Sequence, residues 1–124
     1  MANAAVLVPQ LLPDDQFVFK VGERPVGMPG RYCFNLQKTL GLDDIKYAIF
    51  FNGIRDLCTA NQLDLDVPAR LLNRALVCRV CDDAVLAFPH LRDFEACSDP
   101  QWPVQSVIHI LTKRRHSQAH AAAH

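Results

Sequence analysis

The segment CRVCDDAVLAFPHLRDFEAC, residues 78–97, sets Cys78 and Cys81 two residues apart and follows them with His90 and Cys97. Three thiols and an imidazole are a legitimate tetrahedral zinc set. A zinc-binding pair of this spacing sits in a tight turn, often glycine-assisted, so that both sulfurs converge. Here the flanks are apolar and no glycine occurs between residues 54 and 124. On a helix, Cys78 and Cys81 would instead share a face with Leu71, Val85 and Phe88, and buried thiols behave as small apolar groups. Core thiols are the leading expectation. Zinc on Cys78, Cys81, His90 and Cys97 is the alternative.

A redox role for the same pair needs the first thiol at a helix N-terminus, where the helix dipole lowers its pKa. Cys78 falls about ten residues into the expected helix, counted from the DVPARLL segment. Among other constellations, His116, His120 and His124 recur every four residues near the C-terminus. One helical face of imidazoles could take a transition metal. The stretch around them has nothing to bury, so a flexible tail over 116–124 is expected. Lys113, Arg114 and Arg115 form a short basic run, for which a helix C-terminus already accounts. Serines occur only at 98, 106 and 117, none in a nucleophile elbow. The Asp–Asp pairs at 14–15, 43–44 and 82–83 precede apolar runs, as caps and turns do. A Cys/His catalytic pair has five residues of each type to draw on, with nothing to select one.

The elements that must position these groups fall into two classes. QFVFKV and RYCFNL alternate with period two, through Phe17, Phe19 and Val21 in the first and Tyr32, Phe34 and Leu36 in the second, which places one aromatic row on one face. Between them, GERPVGMPG holds three glycines and two prolines, as a long hairpin loop would. The spacing predicts a β-ribbon pairing residues 17–21 with 32–36, joined by AAVLV before Pro9 if a small sheet forms.

Helical spacing takes over after Gly41. LDDIKYAIFFNGIRDLC puts Ile45, Ala48, Ile49, Leu57 and Cys58 on one side, with Phe50 and Phe51 widening the stripe. Asp43 or Asp44 can cap it. A second helix is expected from Asp66 and Pro68 through ALVCRVCDDAVLAF, with strand, turn at Asp82–Asp83 and strand as the alternative for that stretch, then a short element HLRDFEAC after Pro89. A last helix starts near Trp102 and Pro103, with Val104, Val107, Ile108 and Leu111 as its apolar row.

At 124 residues, half of them hydrophobic, the chain is long enough for one domain with its own core. Net charge is zero, but all thirteen acids precede residue 100 against ten of the thirteen cations. That acidic body offers no footprint for a nucleic-acid backbone. Five cysteines without a secretory leader suit a reducing compartment, cytoplasmic or nuclear. No run approaches the roughly 18 apolar residues of a membrane span.

The expected architecture is α+β: a single domain over 1–115, an N-terminal β-ribbon packed on three main helices and one short one. The leading function is a non-enzymatic protein–protein interaction module, self-associating as a homodimer and without a cofactor. Large apolar side chains exceed the needs of one small core, and Val26, Met28, Val104, Val107, Ile108 and Leu111 are the candidate contacts. A zinc-binding regulatory domain contacting nucleic acid through its last helix is the alternative. A Cys/His enzyme stands third.

Overall fold

The computed structural model describes residues 17–25 and 34–122, apart from the side chains of 69 and 116–122. Within them the chain is mostly helical, and no sheet or β-ribbon occurs. The order is α1 (Leu36–Thr39), α2 (Asp44–Ala60), a 3₁₀ turn (Ala69–Leu71), α3 (Arg74–Ala87), a 3₁₀ segment (Pro89–Ala96) and α4 (Trp102–Ala122).

The expected β-ribbon, and with it the α+β class, is therefore corrected. Phe17 and Phe19 do alternate with exposed neighbours along an extended strap, but the strap lies on helices instead of pairing with a strand. Its Lys20 amide donates to the Leu40 carbonyl at 2.8 Å, at the end of α1. Period two reports extended backbone with one buried side; it does not say where the amides go. Leu36, expected as the end of a strand, opens α1. Residues 32 and 33, and the AAVLV segment, lie outside the described residues.

Short side chains and backbone geometry explain the turns. Asn35 Oδ1 accepts from the Lys38 amide at 3.1 Å and starts α1, and Gly41 at φ +69° ends it in the left-handed region that favours glycine. A Cβ on Gly41 would also come within 3.1 Å of Lys20 Cβ, so this glycine brings the strap against α1. Asp43 caps α2 by accepting from the Lys46 amide at 2.7 Å. The second expected helix divides: residues 69–71 form only a 3₁₀ turn, and Asn73 starts α3 by accepting from the Ala75 and Leu76 amides. Asn73 is the better cap because its side chain reaches two free amides of that first turn.

Helix α2 packs on α3 and α4, and α3 on the 3₁₀ segment that follows it. The buried face of α2 is Phe50, Phe51, Ile54, Leu57 and Cys58. Ile45, expected on that face, is 72% exposed, so the stripe starts one turn later than expected. At the centre, Phe50 meets Phe19 and Phe88 edge-on, with ring centroids 5.2 Å apart in both pairs. Phe17 sits 5.0 Å from Phe88 on the other side. Full burial of each such ring is worth on the order of 1.5–3 kcal/mol. The described phenylalanines, expected to exceed the needs of one core, all find places in a single cluster.

Gly53, inside α2, makes room for this cluster. A Cβ there would lie 2.9 Å from the Phe88 ring, which Phe17 and Phe50 hold in place. Gly53→Ala should gain about 1 kcal/mol of helix propensity but lose about 1–3 kcal/mol to overpacking. The expected result is a lower urea midpoint, where an exposed helical position would give a higher one.

Among the described residues, no helix is long and apolar enough to cross a membrane. Backbone of α4 continues helically to Ala122. The side chains of His116, His120 and His124 lie outside the described residues.

Candidate functional site

The four zinc candidates do not meet. Cys81 faces the core at 2% exposure, whereas Cys78 is exposed on the same helix. The core-thiol expectation thus holds for Cys81 and fails for Cys78. His90 Nδ1 lies 3.4 Å from the Asp93 carboxylate. Cys97 Sγ donates to the Gly22 carbonyl at 3.3 Å. Among the described residues no three His, Cys, Asp or Glu side chains gather as a metal would require.

Cys78 is the fifth residue of α3, since the helix starts at Arg74 and not near Pro68. Its neighbour in the pair has the wrong chemistry for redox exchange. Burial pushes the Cys81 thiol up to about 12, with Cys78, Asp82, Asp99 and Cys58 adding to it. Burial does the same to Cys58, also to about 12. Cys97 is raised as well, by desolvation and by the Glu23 carboxylate. Cys58 and Cys81 are thereby held as thiols, away from the thiolate that nucleophilic attack needs.

Of the partner-binding candidates, Val26 and Met28 lie outside the described residues. Val104, Val107, Ile108 and Leu111 are all buried in the chain's own core. An interface centred on that row would have to displace α2 and α3, against which α4 packs.

What the fold brings together instead is a cleft of about 690 Å³ beside α4. One wall is the 68–77 connection with the start of α3, and the other is α4 from Trp102 to Lys113. Leu72, Val77 and Trp102 give it an apolar floor. Arg24, Arg70, Arg74 and Lys113 line it, with Asp99 the one carboxylate among the described lining residues. Arg70, Arg74 and Lys113 are exposed and make no ion pair among the described residues.

The strap helps to build this cleft. Trp102 Nε1 donates to the Gly22 carbonyl at 3.0 Å, and the Ser98 amide donates to the Glu23 carboxylate at 2.9 Å. These contacts fix the chain just before Arg24 against the start of α4. On the other side, Arg115 pairs with Asp66 at 2.9 Å and ties α4 to the connection that carries Arg70.

No known protein family, curated protein or solved structure matches this chain. Its chemistry is therefore read from the cleft alone.

The local field is positive. His109, which lines the cleft, has its imidazole pKa held below the ordinary 6.5, first by burial and then by the charges of Lys113 and Arg24. The folded state thus disfavours the charged imidazole, and the unfolded chain takes up its proton first as pH falls. Stability from this group is complete above 6.5 and is lost as pH falls from there through the lower folded value. His109→Gln should flatten that part of the decline, measured as the melting temperature across a pH series.

In sequence Lys113 belongs to the basic run 113–115, which a helix C-terminus accounts for, and Arg24, Arg70 and Arg74 stand far from it. Arg70 and Arg74, four residues apart beside a proline, are a weak signal by themselves, and only the fold brings Arg24 and Lys113 to them.

Proposed function

We propose that the chain is a non-enzymatic module that binds a protein partner, and that the cleft beside α4 is its recognition surface. The observation that supports this reading is an apolar floor lined, among the described residues, by four cations and one carboxylate, between α4 and the connection into α3. Few convergent charged groups around an apolar floor are the usual make-up of a recognition pocket. Cys58 and Cys81, the deepest thiols, are protonated and serve packing, which supports a binding role over covalent catalysis.

Selection from a random peptide display library on the immobilised protein tests the reading. Enrichment of a sequence family whose members lose binding to the Arg74→Glu variant is the expected result. A diverse library that yields no family sensitive to that change would contradict it.

A further inference from the structure

We propose that the cleft takes an extended acidic peptide, with carboxylates on its cations and apolar side chains on its floor. This rests on the reading of the chain as a protein-binding module and adds the chemistry of the partner. Three observations support it.

The first is charge. Arg70 and Arg74 rise from one wall and Lys113 from the other, and among the described residues that line the cleft Asp99 is the one carboxylate. Guanidinium groups pair with carboxylates through two parallel hydrogen bonds, which gives direction as well as attraction. Cations on both walls suit a ligand carrying several anions along its length.

The second is length. The α4 wall runs from Trp102 to Lys113, roughly 16 Å at 1.5 Å per residue. Extended chain rises about 3.3 Å per residue, so the cleft spans about five residues of peptide. A single small anion would engage only one end of such a surface. Alternating side chains of an extended peptide point to opposite sides, so apolar residues can face Leu72 and Val77 while acidic ones reach the rim.

The third is an unused donor. Ser106 lines the cleft, is 3% exposed, and its hydroxyl makes no hydrogen bond with any described residue. A helical serine ordinarily returns its hydroxyl to a carbonyl about one turn back. Thr112, equally buried on the same helix, does so, donating to the His109 carbonyl at 2.9 Å. A buried hydroxyl without a partner is costly and rare in folded proteins. A peptide carbonyl or carboxylate entering the cleft would give Ser106 its acceptor.

Trp102, the single tryptophan, lines the cleft and reports on its contents. The test is a fluorescence titration of the full chain with a capped decapeptide of alternating Glu and Leu, at low salt. Saturable binding is expected, weakening as salt rises because exposed charges are screened. Arg70→Glu with Arg74→Glu should weaken binding at least tenfold while leaving the circular dichroism unchanged, since both side chains are exposed. Ser106→Ala should weaken it several-fold while leaving the free protein at least as stable as the wild type.

Equal affinity for the Gln/Leu decapeptide would overturn the acidic preference but leave the module reading intact. Binding of citrate or phosphate without either peptide would overturn the peptide proposal, and if display selection also fails, the module reading falls with it. Failure of all these probes while selection enriches a non-acidic family would overturn only the proposal made here.

Discussion

Val107→Asp should leave no cooperatively folded protein. Val107 is fully buried on α4, where that helix packs against α2 and α3. The substitution removes an apolar side chain and puts a carboxyl group into the apolar core. A buried charge without a partner costs several kcal/mol even after relaxation. Total stability of a small domain is about 5–15 kcal/mol, so one such change approaches the whole of it. Loss of helical circular dichroism and of a urea transition is the expected result. The same variant bears on the homodimer expectation. Were the row Val104, Val107, Ile108 and Leu111 the centre of an interface, the variant would be a folded, dispersed monomer with its urea transition intact.

Trp102→Ala should cost about 3–5 kcal/mol, the usual range for emptying a large aromatic site. The ring is 1% exposed and stands edge-on to Phe94 and Phe34, with centroids at 5.7 and 6.4 Å. Its Nε1 also donates to Gly22, the residue that holds the strap in place. Trp102→Phe separates the two contributions: it keeps most of the ring and loses the donor, for about 1 kcal/mol. At roughly 4 °C per kcal/mol for a chain of this size, the alanine variant should melt more than 10 °C lower and the phenylalanine variant a few degrees lower. Equal losses in the two variants would mean that the hydrogen bond, and not the ring, secures this corner.

The helices were legible for specific reasons. Asp43 ahead of an apolar run announced α2, and Trp102–Pro103 ahead of Val104, Val107 and Ile108 announced α4. Both signals are local, and local signals survive into the fold. Phe17 and Phe19 gave an equally clear pattern that pointed to the wrong partner. Alternation shows that one side of a segment is buried, but the strap's partner is chosen by surfaces far away in sequence: Leu40, Phe50 and Phe94. Asn35 and Gly41 bracket LQKTL as cap and stop, a helix signal that the neighbouring aromatic alternation obscured. The split at Asn73 was hidden in the same way, because Leu71 and Leu72 continue the apolar count across a turn.

The cleft could be read only from the fold. Arg24 reaches it because Gly22 is held by Trp102, and Arg70 and Arg74 because the 3₁₀ turn and the Asn73 cap set their positions on the opposite wall. In sequence Ser106 stood out only as a serine outside any nucleophile elbow. That its hydroxyl has no partner among the described residues shows only when the fold is in place.

The most direct measurement is a two-dimensional amide NMR titration of the full chain with the Glu/Leu decapeptide. Shift changes should cluster on residues 68–77 and 99–113, the two walls of the cleft, and Ser106 should be among the largest. Changes centred instead on the exposed apolar residues Ile45 and Leu86, with the two walls silent, would contradict the account.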